Sequence, residues 1–83
     1  MIRRRYVFGR GDDCDVAISS DPYLSAQHAV VFEDDTGVWA ADLGSVNGTW
    51  IERAGRRIRV HGPTPIGPGD ALIIGRTRIP WTP

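Results

Sequence analysis

Glycine and proline interrupt this sequence every few residues, and that spacing most constrains what the chain can fold into. Ten Gly and six Pro are spread over 83 residues, so no helical period lasts long enough to give a long helix. The segments between them are short runs rich in β-branched and aromatic residues, which are typical of strands. These runs are 5–8, 15–18, 28–32, 38–41, 49–51, 57–60, 71–74 and 77–81.

This strand pattern predicts an all-β domain. Seven to nine short strands at such spacing favour a β-sandwich or barrel. The runs 28–32 and 38–41 flank a polar turn and should form a hairpin, whereas the Gly- and Pro-rich segment 62–70 should be a rigid connector. We expect one domain over residues 1–83, with a motif-bearing core at about 6–81.

Composition narrows the class of protein. The chain is 41% hydrophobic and 24% charged, with zero net charge, which favours a globular protein and argues against a general nucleic-acid binder. No membrane-length apolar run or signal peptide is visible, so we expect no membrane partner and a cytoplasmic location, alone or within a larger protein. Cys14, His28 and His61 lack paired ligand spacing, so neither a metal nor a cofactor is expected. The three tryptophans should help to anchor the core.

All ten basic residues are Arg and none is Lys. The guanidinium group offers a rigid fork of donors that suits phosphate and carboxylate. Biased genomic composition is enough to explain the number, so a functional claim has to depend on a particular Arg.

Four short motifs stand at the ends of predicted strands, where loops on a rigid β scaffold often carry binding. They are Gly9-Arg10, Ser25-Ala26-Gln27-His28, the segment 42–50 (DLGSVNGTW) and Gly69-Asp70. Asn47-Gly48 is by itself the strongest short hairpin signal, so a plain turn is the alternative interpretation of the third motif.

In identity, order and spacing these motifs resemble the forkhead-associated (FHA) domain over nearly the whole chain, with Gly69-Asp70 and Ile74-Gly75 resembling its closing hairpin. The resemblance implies a β-sandwich of two mostly antiparallel sheets whose loops at one end bind phosphothreonine peptides. By the same resemblance, Arg10 and Ser25 would contact the phosphate and Asn47 the peptide backbone. The residues expected to structure the loops are Gly9, His28, Asp42, Gly44 and Gly48.

Two positions depart from the better-known binding pattern. Ala26 stands where Arg or Asn is frequent, and Val46 stands where Thr or Ser is frequent. Both remain candidates for an additional contact, but neither side chain can donate a hydrogen bond. Each missing hydrogen bond to a charged group would cost about 1.5–3 kcal/mol.

The N-terminus is a third departure, because FHA domains usually carry about two further strands before the Gly-Arg motif. Without them a sheet edge is exposed and can pair with another chain. The expectation is therefore an oligomer, a strand supplied by a partner, or a fragment of a longer protein.

Two other functions compete with phosphopeptide binding. Ser25, His28 and Asp42 are the residue types of a hydrolase triad, but no Gly-x-Ser-x-Gly elbow surrounds Ser25 and we expect no enzyme activity. Ala26 and Val46 favour a second alternative, a scaffold that binds an unmodified partner or itself.

Overall fold

The computed structural model describes residues 1–81, and these residues form nine strands. In chain order the strands are β1 (Arg4–Gly9), β2 (Val16–Ala17), β3 (Ala29–Asp34), β4 (Gly37–Asp42), β5 (Thr49–Arg53), β6 (Arg56–Val60), β7 (Thr64–Pro65), β8 (Ala71–Ile74) and β9 (Thr77–Pro80). Within these 81 residues there is no helix capable of crossing a membrane.

The strands build two sheets that pack face to face. The larger sheet has the order β2-β1-β3-β4-β7 and the smaller sheet has the order β6-β5-β8-β9. Every pair is antiparallel except β1 with β2. The predicted sandwich of two mostly antiparallel sheets is confirmed, and so is the β3–β4 hairpin, whose last pair is Asp34 with Gly37.

The core is mostly aliphatic and comes from alternate residues of both sheets. Phe8, Val31 and Ala40 face inward from the larger sheet, and Ile51, Leu72, Ile74 and Val60 face them from the smaller sheet. The tryptophans contribute less than expected, because Trp39, Trp50 and Trp81 are only half-buried. Strand alternation explains this for Trp50, since its neighbours Thr49 and Ile51 occupy the inner face.

The segment 62–70 is more structured than the predicted connector. Its residues Thr64 and Pro65 form β7, which pairs with β4 at the edge of the larger sheet. The buried carboxylate of Asp70 accepts hydrogen bonds from the Arg53 guanidinium at 3.0 and 2.8 Å and from the Gly67 N–H at 2.9 Å. Hydrogen bonds to the Arg53 guanidinium hold the pKa of Asp70 below its usual value.

The expected exposed sheet edge is present beside β1. Strand β2 pairs only with Phe8 and Gly9, so within residues 1–81 no strand covers the outer edge of residues 4–7. A mostly apolar groove opens between the two sheets here, and its lining includes Tyr6, Phe8, Val31, Val38, Ile79 and Trp81. Oligomerisation or pairing with a partner's strand at this edge stays a prediction.

Gly9 allows β1 to end directly against the loop that precedes β3. A Cβ atom on Gly9 would lie 2.3 Å from the Ala26 carbonyl oxygen, which is far inside van der Waals contact. The N–H groups of Arg10 and Gly11 donate to the carbonyls of Ser25 and Ala26, both at 3.0 Å. Glycine is therefore required here for steric reasons.

We predict that Gly9→Ala lowers the free energy of unfolding by about 1–3 kcal/mol, because the two backbone segments must separate. Urea denaturation measures the change. Gly62→Ala is the matched control, since a Cβ atom at that position would have no other atom within 4 Å and its cost should stay below about 0.5 kcal/mol. Equal losses in the two variants would contradict the steric explanation.

Candidate functional site

Three loops meet at one end of the sandwich and carry the sequence motifs. They are residues 10–15 after β1, residues 18–28 before β3 and residues 43–48 between β4 and β5. Phe8, Ala29 and Asp42 are partners across the larger sheet, so these strand ends coincide. Residues distant in sequence are thereby collected in one region.

The imidazole ring of His28 lies between two of these loops and is fully buried, with 0% exposure. Its Nδ1 accepts a hydrogen bond from the Ser25 N–H at 3.1 Å. Nε2 must then carry the hydrogen of a neutral ring, and it donates to the Gly48 carbonyl oxygen at 2.6 Å. Each ring nitrogen is used to hold loop backbone.

The backbone of His28 adds two further links. Its N–H donates to the Phe8 carbonyl at 2.8 Å, and its carbonyl accepts from the Leu43 N–H at 3.0 Å. One residue therefore connects the end of β1, the 18–28 loop that leads into β3 and the 43–48 loop. Such a fully satisfied buried polar group fixes a single arrangement of its neighbours.

The carboxylate of Asp42 organises the 43–48 loop from within. Oδ2 accepts from the N–H groups of Gly44 and Ser45, both at 3.0 Å, and Oδ1 accepts from the hydroxyls of Ser45 and Thr49. The Ser45 hydroxyl oxygen in turn accepts from the Gly48 N–H at 2.9 Å. Burial acts to raise the pKa of Asp42, but these hydrogen bonds outweigh it and hold the pKa below its usual value.

Two glycines give the 43–48 loop its shape. Gly44 has φ +74° and Gly48 has φ +90°, in the left-handed region that costs other residues about 1–2 kcal/mol. A Cβ atom on Gly48 would also lie 2.8 Å from the Arg59 Cζ and 2.9 Å from the Trp50 ring. Gly48 is thus constrained both by its conformation and by its neighbours.

Arg10 and Ser25 are brought together by the backbone bond between their main chains. The Arg10 side chain is exposed, and among residues 1–81 no carboxylate pairs with it, not even the nearby Asp12 or Asp13. The Ser25 Oγ accepts from the Val46 N–H at 3.1 Å. That bond orients the hydroxyl and leaves its proton available to an anion.

Asn47 does more than shape a turn. Its Nδ2 donates to the Tyr23 carbonyl at 2.8 Å, which links the 43–48 loop to the 18–28 loop. The side chain is exposed, and within the described chain its Oδ1 has no hydrogen-bond donor. The amide can therefore accept an N–H from a ligand backbone while it stays anchored.

The two departures from the expected pattern lie at the surface of the same region. Val46 is 88% exposed and presents an apolar tip. Ala26 is exposed too, and its carbonyl is used by the Gly11 N–H and the Cys14 thiol. Neither side chain offers a hydrogen bond, so any polar contact here has to come from neighbouring groups.

Sequence reasoning missed the contribution of Asp21 and Arg76. The buried Asp21 carboxylate accepts from the Arg76 N–H at 2.8 Å and from the Thr77 hydroxyl at 2.7 Å, and the latter bond is the main reason that its pKa is lowered. The Arg76 guanidinium lies 4.6 Å from the Tyr23 ring centroid. The β8–β9 turn is thereby attached to the 18–28 loop. Asp21-Pro22 signals a turn, but nothing local reveals a partner 55 residues away.

The residue types of a hydrolase triad are present, but their hydrogen bonds lie elsewhere. The ring of His28 contacts backbone groups, the Ser25 hydroxyl contacts Val46 and the Asp42 carboxylate contacts its own loop. A triad requires the base to bond to the nucleophile and the acid to bond to the base. The arrangement instead suits recognition of a ligand.

Comparison with known proteins agrees with this geometry. The sequence profile of the FHA domain family matches residues 6–75 of the chain. The chain belongs to the FHA domain family. This FHA domain is 34% identical over 77 residues to the FHA domain-containing protein FhaB of Mycobacterium tuberculosis, a match that covers 93% of this chain and 46% of FhaB. It therefore spans about half the length of the curated relatives it matches.

Solved structures share the fold of this FHA domain. A structure from a study of phosphothreonine-dependent FHA domain interactions superposes with a TM-score of 0.75 at 26% identity, covering 95% of this chain and 78% of the other. The N-terminal FHA domain of Saccharomyces cerevisiae Rad53p, solved with a phosphothreonine peptide, gives 0.73 at 27% identity, covering 89% and 58% of the two chains. The first resemblance thus spans almost the whole domain.

We predict that His28→Leu lowers the free energy of unfolding by about 2–5 kcal/mol, because the Ser25 N–H and the Gly48 carbonyl lose their partners inside the domain. His61→Leu, the same change at an exposed histidine, is the matched control and should have little effect. Imidazole nitrogen NMR should show the Nε2–H tautomer for wild-type His28. The Nδ1–H tautomer, or a loss no larger than that of His61→Leu, would contradict this role.

Proposed function

We propose that this FHA domain is a phosphothreonine-dependent interaction module that binds a phosphorylated segment of a partner protein. The observation that carries the proposal is the pairing of Arg10 with Ser25. An exposed guanidinium without a carboxylate partner in residues 1–81 stands beside a hydroxyl whose proton is free. Both groups lie on loops that internal hydrogen bonds fix in place.

The chemistry of this pair suits a phosphate group. Arg10 can donate two parallel hydrogen bonds to phosphate oxygens, and charge assistance makes such bonds stronger than neutral ones. Ser25 adds a short, directional donor. Since the Ser25 oxygen already accepts the Val46 N–H at 3.1 Å, the hydroxyl is oriented before a ligand arrives. A small ordering cost favours affinity.

The peptide backbone would be recognised by Asn47. Its amide carries both a donor and an acceptor, which matches the alternating groups of an extended main chain. The bond from Nδ2 to the Tyr23 carbonyl fixes the direction in which Oδ1 points. In this proposal Arg10 and Ser25 read the phosphate, and Asn47 sets the register of the peptide beside it.

The same contacts support recognition without catalysis. The family is one of recognition modules, and the His28 ring is committed to the Ser25 and Gly48 backbone, so it cannot serve as a base. The proposed interaction needs no metal or cofactor. We expect the domain to act in the cytoplasm or in the cytoplasmic part of a larger protein, where the free thiol of Cys14 stays reduced.

A second candidate function is binding of an unmodified partner or of another copy of the domain. The exposed apolar side chain of Val46 favours this second function. It offers no hydrogen bond to a phosphate and suits an apolar contact. The open groove beside β1 offers a further apolar surface. A complex that survives phosphatase treatment unchanged would favour this alternative.

We predict that the domain binds phosphothreonine peptides more tightly than matched phosphoserine or unphosphorylated peptides in calorimetric titration of a degenerate library. Arg10→Ala should weaken binding about 10- to 100-fold through loss of charge-assisted bonds, and Ser25→Ala about two- to tenfold. Arg10→Ala should not alter the fold, because the side chain faces solvent, whereas Ser25→Ala also removes the acceptor of the Val46 N–H.

Arg56→Ala is the matched control for the loss of an exposed arginine, since it lies at the start of β6 beside the turn opposite the site. It should bind like the wild type. Equal affinity for all three peptide classes would overturn the phosphospecific function, as would an Arg10→Ala variant that binds no worse than Arg56→Ala.

A further inference from the structure

The zero net charge of the chain conceals a strong separation of charge. Residues 1–48 contain four arginines and eight acidic residues, whereas residues 49–81 contain six arginines and two acidic residues. All four strands of the smaller sheet come from the second segment. The domain is therefore electrically polar, and net charge alone is a poor guide to the anions that its smaller sheet attracts.

The pairing register shows which of these arginines share a surface. Ile51, Leu72 and Val60 face the core, so the residues that alternate with them point outward. The outward residues form two rows across the four strands, Arg59-Trp50-Ile73-Arg78 and Arg57-Glu52-Ala71-Pro80. We call this outer surface of the smaller sheet the basic face.

Within residues 1–81, two of the three arginines on the basic face have no acidic partner. Glu52 accepts a hydrogen bond from Arg78 at 3.0 Å, so the charge of Arg78 is neutralised. Among residues 1–81 no carboxylate pairs with Arg57 or Arg59. These two side chains leave the same side of β6 two residues apart, about 7 Å along the strand. Their guanidinium groups are available to an external anion.

Arg59 is also held in position. Its Cζ lies 4.7 Å from the centroid of the Trp50 ring, an arrangement that orients the guanidinium by cation–π attraction. A Cβ atom on Gly48 would lie 2.8 Å from the same Cζ, and Asn47 is the next residue along the loop. The basic face therefore begins where the proposed peptide site ends.

We propose that the basic face binds an acidic segment of the partner whose phosphothreonine occupies the loops, an inference that depends on the proposed function. Carboxylates of Asp or Glu would pair with Arg57 and Arg59. Each exposed ion pair adds only about 1.5- to 5-fold in affinity. Attachment to a bound phosphothreonine raises the local concentration of the segment, so such weak pairs become effective.

An acidic polypeptide fits this surface better than a nucleic acid does. The only aromatic ring in the two rows, that of Trp50, is covered by Arg59, so it offers no free platform for stacking a base. Asp12 and Asp13 are exposed on the 10–15 loop at the same end of the domain and would repel a long polyanion. A short acidic segment can contact Arg57 and Arg59 without coming near Asp12 and Asp13.

The test compares a short phosphothreonine peptide with the same peptide extended by about five Asp and Glu residues on either side. With one of the extensions, wild-type protein should bind about five- to tenfold more tightly at low salt. The double variant Arg57→Gln/Arg59→Gln should lose that gain and bind the short peptide as before. The control Arg4→Gln/Arg5→Gln, with the same charge change on the other sheet, should keep it. About 0.5 M salt should abolish the gain, because it shortens the screening length.

Several outcomes would overturn the proposal. They are an absence of gain from either extension, a gain that persists in Arg57→Gln/Arg59→Gln, tighter binding of single-stranded DNA than of the acidic peptide, and salt-sensitive self-association through this face. If the short phosphopeptide itself fails to bind, the proposed function fails separately. The Trp50 indole NMR signal during titration with an unphosphorylated acidic peptide at millimolar concentration, which replaces the local concentration that attachment would supply, then decides: a shift supports the basic face, and no shift rejects it.

Discussion

The binding end of this domain depends on one buried imidazole. His28 uses both ring nitrogens and both backbone groups to join the end of β1, the 18–28 loop and the 43–48 loop. Since Nδ1 accepts the Ser25 N–H, the neutral ring must donate from Nε2 to Gly48. A buried network of this kind permits one loop arrangement, because any other leaves polar groups without partners inside the domain.

That constraint also bears on the phosphate site proposed for Arg10 and Ser25. A backbone hydrogen bond joins Arg10 to Ser25. The Asp42 carboxylate fixes the 43–48 loop, which presents Asn47. The Ser25 hydroxyl and the Asn47 amide are therefore oriented before a ligand arrives, which lowers the ordering cost of binding. Val46 contributes its N–H to Ser25, so this position supports the site through its backbone even though its side chain cannot donate.

Much of this was predictable from sequence, because strand alternation and turn residues are local signals. The sandwich and the β3–β4 hairpin followed from them, and the motif residues lie together at one end of the sandwich, as expected. Long-range partners were not predictable. The bonds from Arg76 to Asp21 and from Arg53 to Asp70 join distant positions, and zero net charge gave no sign of the basic face. These features depend on strand order and register, which a local pattern does not encode.

A crystal structure of the domain bound to a phosphothreonine peptide tests the central claim most directly. We predict that phosphate oxygens lie within hydrogen-bonding distance of the Arg10 guanidinium and the Ser25 hydroxyl, and that the Asn47 amide contacts the peptide backbone. The hydrogen bonds of His28 to Ser25 and Gly48 should be the same with and without peptide. A phosphate bound elsewhere, or loops that release His28 on binding, would contradict a site fixed in advance by its buried network.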